Sequence, residues 1–251
     1  MCLNPIKLTN PSKTISMSGG QLFQMEVPCG KCAECLERRK NDWYFRTYYE
    51  AKSTFDNGGY VYFDTLTYAS EHLPHINDYL KEEYQFPESE NVSCFNLEHY
   101  RLFFVRLRRY LTYHGFDVAH NLKYFLTSEY GDDDRYTHRP HYHVLFFVTD
   151  PSLEPLDLSR AVNACWQMGR TDGIDWHPYS YVKEHIFGYK YNCDRVHMQM
   201  VCNYVSKYVA KDSVFSSTIQ GKLDHIFTQL YGPMDVWSAD DEIKRSYDLL
   251  T

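Results

Sequence analysis

The chain has 251 residues and a net formal charge of −7, which excludes a uniformly basic nucleic-acid-binding surface but not a patchy one. Its hydrophobic content of 43% supports one large domain or two small ones. The apolar run Val144–Val148 is far shorter than the roughly 20 residues a membrane helix needs. The N-terminus shows no apolar leader segment, so the expected setting is soluble and intracellular, where eight cysteines stay reduced and point to metal rather than disulfides. The charge is unevenly spread. "ERRKNDWYFR" (37–46) and "RLFFVRLRRY" (101–110) are basic, while 78–98 and 132–134 are acidic.

In chain order, residues 1–31 read as loop, punctuated by Pro5, Pro11, Gly19, Gly20, Pro28 and Gly30. Residues 33–55 favour a helix, which Asp56-Asn57-Gly58-Gly59 ends. "YVYFDTLTY" (60–68) reads as a strand, and the polar stretch 69–95 as an excursion over the surface. Asn96 is placed to cap a helix over 97–113, with Gly115 beyond its end. "LKYFLTSEY" (122–130) and "HYHVLFFV" (141–148) are strands close enough to form a hairpin. A helix over 156–168, a strand near 180–190 and a helix over 197–212 follow; the stretch after Asp212 gives no clear pattern. This order fits an α+β sandwich with an antiparallel sheet.

His141 and His143 are two apart in a strand, so their side chains leave one face together and can share a metal ion. If the hairpin forms, Glu129 lies beside His141 and offers a third ligand; Asp132, Asp133, Asp134 and His138 are rivals. Two imidazoles and a carboxylate leave open positions on the metal, as a catalytic ion requires. In "YVSKYVAK" (204–211), a helical period of about 100° per residue puts Tyr204, Lys207, Tyr208 and Lys211 on one face, next to an apolar stripe of Val201, Val205 and Val209. A tyrosine can attack phosphorus, a nearby ammonium favours its phenolate, and a facing metal polarises the phosphate.

These motifs, in this order, resemble the HUH endonucleases of the rolling-circle initiator class, especially the replication initiators of Microviridae phages of the gokushovirus branch. "FDTLTY" (63–68) resembles the family's first motif, with Asp64 where a hydrophobic residue is more usual. "RPHYHVLFF" carries the His-hydrophobe-His motif with Tyr142 in the middle, "EYG" (129–131) the upstream acidic ligand, and "YVSKYVAKD" the two tyrosines. "VPCGKCAECLERRKNDW" is also similar to this branch, so the likeness runs from Cys2 to about Asp212. It implies an RRM-like antiparallel sheet with flanking helices, the HUH fold. It also implies site-specific nicking of single-stranded DNA at a phage origin, with Mg²⁺ or Mn²⁺, and strand transfer through a 5′-phosphotyrosine. Host replication proteins would be further partners and the bacterial cytoplasm the location. The division expected is a Cys-rich segment with a helix (1–55), an HUH core (56–215) and a tail (216–251).

Cys29, Cys32 and Cys35 have C-x2-C-x2-C spacing, and Cys2 is the candidate fourth ligand. Four thiolates make a closed structural zinc site; an iron–sulfur cluster shares the spacing, and free thiols are the plain alternative. Cys94, Cys165, Cys193 and Cys202 lack such spacing and read as packing residues. Arg38, Arg39, Lys40, Arg46, Arg106, Arg108 and Arg109 are candidates for phosphate contacts. Trp43 and Tyr44 could stack on bases or pack in the core. The rival functions are a plasmid or transposon relaxase or transposase, a non-catalytic zinc module that binds single strands, and a metal hydrolase that uses activated water in place of the tyrosines.

Overall fold

The computed structural model describes residues 2–9, 24–80, 82, 85–88, 91–130, 139–171, 186–187, 195–209, 214–239 and 244. The chain begins with strands β1 (Ile6–Thr9) and β2 (Gln24–Val27), which pair antiparallel. Part of the segment read as loop is therefore a two-stranded ribbon. Helix α1 (Ala33–Asp56) follows. It ends where Gly58 takes a left-handed φ of 77°, a conformation open to glycine without steric cost.

The central sheet is built from β3 (Tyr60–Tyr68), β4 (Leu122–Tyr130) and β5 (Pro140–Val148), in the order β4-β5-β3 and antiparallel throughout. The short strands β6 (Gly169–Thr171) and β7 (Ile186–Phe187) both pair with the outer edge of β3. Only Ile186 and Phe187 of the strand expected near 180–190 fall within the described residues.

Helix α2 (Leu97–Tyr113) starts where the Asn96 side chain accepts the Glu98 N–H at 2.8 Å, the expected N-cap. A one-turn helix α3 (Val118–Asn121) leads into β4, and α4 (Pro155–Cys165) follows β5. The late helices are α5 (Arg195–Val209), α6 (Val214–Tyr231) and α7 (Met234–Trp237).

Alternation along the strands gives the sheet two buried faces. Even-numbered residues Tyr60, Tyr62, Leu66, Tyr142, Val144 and Phe146 pack on Phe103, Leu107 and Leu111 of α2 and Leu158 and Val162 of α4. Odd-numbered residues Val61, Leu145, Phe147 and Phe125 pack on Ala51 of α1 and Met198, Cys202 and Val205 of α5. Fully burying each such side chain contributes about 1.5–3 kcal/mol, so both helix layers are firmly held. This is the expected α+β, RRM-like architecture. It also decides which helices can face the histidines, since His141 and His143 share the odd-numbered face with Leu145.

Two stretches are better ordered than their sequence suggests. The excursion 69–95 is anchored by Ile76 and Cys94, both fully buried. They lie beside Tyr130 and beside Leu223 and Phe227 of α6, which falls in the stretch whose pattern was unclear. Cys165 and Cys202 are buried in the core as well, while Cys193 lies outside the described residues.

Candidate active site

The β4–β5 register pairs Glu129 with His141 and Thr127 with His143. Directly opposed residues of an antiparallel pair share a face, so Glu129 and both histidines point the same way. Glu129 Oε2 stands 3.2 Å from His141 Nε2 and 3.0 Å from His143 Nε2. The three ligand atoms lie within 4.8 Å of one another. The rivals Asp132, Asp133, Asp134 and His138 lie outside the described residues.

This arrangement fits a cation. His141 Nδ1 donates to the Arg139 carbonyl at 3.1 Å; a carbonyl only accepts, so in the neutral ring Nε2 carries a lone pair. That lone pair faces a carboxylate oxygen, which also has only lone pairs to offer. The two repel unless a proton or a metal ion lies between them. His143 Nδ1 is held in turn by Thr65 Oγ1 at 3.2 Å, from the strand on the other side of β5. Hydrogen bonds of this kind fix ring orientation and tautomer in metal-binding histidines.

Helix α5 closes over this face. Val205 is fully buried and Val201 and Val209 are half-buried, the expected anchoring stripe. The helix thereby lays Tyr208 against the His143 ring (centroids 5.1 Å apart, 30° between planes) and sets Tyr204 edge-on to it at 5.4 Å. The two tyrosine rings are 5.0 Å apart, and Lys207 Nζ lies 4.9 Å from the Tyr208 ring and 5.7 Å from that of Tyr204. Lys211 lies outside the described residues. The tyrosines are not equivalent: Tyr204 is 41% exposed and Tyr208 8%. Burial, the hydroxyl of Tyr204 and the carboxylate of Glu129 hold the Tyr208 phenol well above the usual tyrosine range. Phe63, unremarked in the sequence, packs on both His143 (5.6 Å) and Tyr204 (6.0 Å).

Tyr142, between the histidines, points to the opposite face. It is 1% exposed, donates to the Asn96 carbonyl at 3.2 Å, and burial pushes its phenol up to about 12. It belongs to the core, as its place in the motif requires.

The four N-terminal cysteines come together as a second cluster. The sulfurs of Cys2 and Cys32 are 3.8 Å apart, and those of Cys29 and Cys35 4.0 Å. Tetrahedral Zn–S bonds of about 2.3 Å put sulfurs about 3.8 Å apart, so the spacing fits a four-thiolate metal site. Backbone N–H groups at Leu3 and Cys35 lower the Cys32 thiol to about 6, and those at Lys31 and Cys32 lower Cys29. Part of the thiolate charge is thus stabilised before any ion binds.

The basic residues separate by location. Arg38, Arg39 and Lys40 lie at the start of α1 beside the cysteines; Arg39 Nη2 is 3.5 Å from the Gly30 carbonyl, and Lys40 pairs with Glu37 at 3.3 Å. Arg46 lies over the Trp43 ring at 5.0 Å, and Trp43 packs on Phe125 in the core, so core packing takes this tryptophan. Half-buried Tyr44 stacks on Tyr48. Arg106, Arg108 and Arg109 are on α2, behind the sheet; Arg106 and Arg108 are half-buried, and Arg108 Nη1 donates to the Val118 carbonyl at 3.2 Å.

A His-hydrophobe-His pair and a carboxylate on an antiparallel sheet, faced by a two-tyrosine helix, define the RRM-like HUH fold. The family model for replication-associated proteins of the ORF2 type matches residues 61–213, and the chain belongs to that family. It is similar to "Replication-associated protein ORF4" of Chlamydia phage 1 (31% identical over 165 residues, 60% of this chain) and to "Replication-associated protein ORF2" of Spiroplasma virus 4 (29% over 161 residues, 58%). A third relative is "Replication-associated protein VP4" of Bdellovibrio phage phiMH2K (31% over 160 residues, 60%). The matched regions cover 34%, 44% and 42% of these relatives, so the chain spans less than half of their length. No solved structure matches the chain. No helix among the described residues is long and apolar enough to cross a membrane.

Proposed function

We infer that the protein initiates rolling-circle replication of a phage genome by nicking and rejoining single-stranded DNA at the origin, in the cytoplasm of the bacterial host. The observation that carries this reading is the contact of both Tyr204 and Tyr208 with His143, on the face where His141 and Glu129 converge. A hydrolase that used only activated water would gain nothing from two phenols placed there.

Glu129, His141 and His143 would hold a divalent ion, Mn²⁺ suiting the imidazoles better than Mg²⁺. When bound, the ion polarises a non-bridging phosphate oxygen and neutralises charge on the reacting phosphate. Tyr204, the exposed phenol, gives up its proton and attacks the scissile phosphorus. A tyrosine–phosphorus bond forms, the bond from phosphorus to the 3′ oxygen breaks, and that oxygen leaves as a hydroxyl once protonated. Lys207, and Lys211 one turn on, favour the phenolate and balance the charge on the phosphate. Tyr208 takes the second transfer, and attack of a 3′-hydroxyl on the phosphotyrosine restores the phenol and seals the strand. The Cys2, Cys29, Cys32 and Cys35 cluster holds structural zinc outside this chemistry.

The test is to incubate the protein with Mn²⁺ and labelled single strands tiling the replicon that encodes it, then resolve the products on a denaturing gel. A covalent protein–DNA band is expected from the wild type, and none from Tyr204→Phe/Tyr208→Phe or from His141→Ala. Cleavage that persists in the double Phe variant would refute the nucleophile assignment.

A further inference from the structure

The strand register extends the site beyond the metal ligands. Thr67 of β3 is paired with His141 on one side and with Arg170 of β6 on the other. Glu129, His141, Thr67 and Arg170 therefore form one cross-strand row on a single face of the sheet. At about 4.7–4.9 Å per strand, the Arg170 backbone lies roughly 9–10 Å from that of His141. The position is enforced by Gly169. A Cβ there would come within 2.0 Å of the Thr67 carbonyl oxygen, so only glycine lets β6 dock this closely.

Beside this row an open groove of about 670 Å³ runs between the loop after β3, the start of β5 and β6. Its lining includes His141, Thr67, Arg139 and Arg170. Arg139 reaches across it, its Nη2 donating to Ser70 Oγ at 2.9 Å, while its carbonyl holds His141. The groove also contains one carboxylate, Glu71, and one imidazole, His72, so two guanidiniums face a single acid. Guanidinium groups suit phosphate because their planar donors pair with its oxygens. The α2 arginines lie behind the sheet and cannot serve this face.

We propose that Arg170 and Arg139 form a second phosphate subsite, holding the single-stranded DNA backbone within a nucleotide or two of the phosphate bound at Glu129, His141 and His143. The proposal rests on the strand-transfer reading for the identity of its ligand. Its role is to bind and orient the strand; neither arginine touches the reacting atoms.

Binding of a fluorescent, mixed-sequence single strand is measured by anisotropy across a salt series. The measurements use a Tyr204→Phe/Tyr208→Phe background, so that no cleavage alters the ligand. Each lost phosphate contact lowers the salt slope of log K by about 0.7 for single strands. Arg170→Ala is expected to lower it by about that much, Arg139→Ala/Arg170→Ala by about twice as much, and Arg170→Lys hardly at all. Arg101→Ala, which removes the same charge from α2, is the control and should leave the slope unchanged. Equal slopes for the double Arg variant and its parent overturn the subsite, as does an equal fall in Arg101→Ala. Adduct formation by the chain with both tyrosines intact is scored separately. If it is absent while the slopes differ as expected, the strand-transfer reading fails and the phosphate subsite stands.

Discussion

The two metal-ligand clusters are held in opposite ways. The cysteines are carried by a ribbon and a helix start with almost no core beneath them: Leu3, Ile6, Leu8 and Met25 around them are all exposed. The Glu129–His141–His143 centre sits on a sheet whose next inward residues, Leu145 and Phe147, are buried between two helix layers. In the first case an ion must supply the order that apolar burial does not. In the second, the fold holds the ligands in place and an ion only has to arrive. The difference separates a site that makes structure from one that uses it.

The largest effect should come from breaking the cysteine cluster. Cys32→Ser is expected to take zinc from one per chain to none and to expose residues near the N-terminus to protease, while Mn²⁺ binding at the histidines is retained. Zinc-finger peptides draw about 10–16 kcal/mol of apparent free energy from such sites, so the loss is not partial. Zinc content unchanged in the variant would end the four-cysteine reading. Next comes Leu145→Ala, which opens a cavity directly beneath the histidine face. It should destabilise the protein by about 2–5 kcal/mol in urea unfolding without changing zinc content. A cost near zero would show that the sheet is not what holds the site. The smallest effect is the sharpest probe of preorganisation. Thr65→Val removes the partner of His143 Nδ1 and should weaken Mn²⁺ binding by about 10–100-fold in calorimetry, with stability little changed. Unaltered affinity would mean that Thr65 does not orient the ring.

Much of the active-site cluster was legible because its parts are local. The spacing of His141 and His143 fixes a common face once the segment is a strand, and the short connection to 122–130 allows few registers other than the one that brings Glu129 alongside. The arc of Tyr204, Lys207 and Tyr208 follows from helical period alone. Less could be read of the surroundings. Ribbon β1–β2 is too short to show a pattern, and α6 is recognised by what it covers, Ile76 and Cys94, rather than by its own periodicity. The basic clusters were misleading guides to a DNA face. Arg106 and Arg108 are conspicuous in sequence yet lie behind the sheet, whereas Arg170 is an isolated residue in a three-residue strand. Arg139 was open to notice, two residues before His141, but nothing local to it tells which way its side chain runs.

What the amino-acid sequence determined by itself is the periodic part: strands and helices, which side chains leave each on a common side, and the C-x2-C-x2-C spacing. Those follow from backbone geometry, which needs no distant partner. Only the tertiary structure decided that α1 and α5, rather than α2 and α4, cover the histidine face; that Tyr208 is enclosed while Tyr204 is open; and that an arginine two strands away joins the row. These depend on which apolar surfaces meet, and burial is a non-directional force that many pairings could satisfy until the whole sheet is assembled.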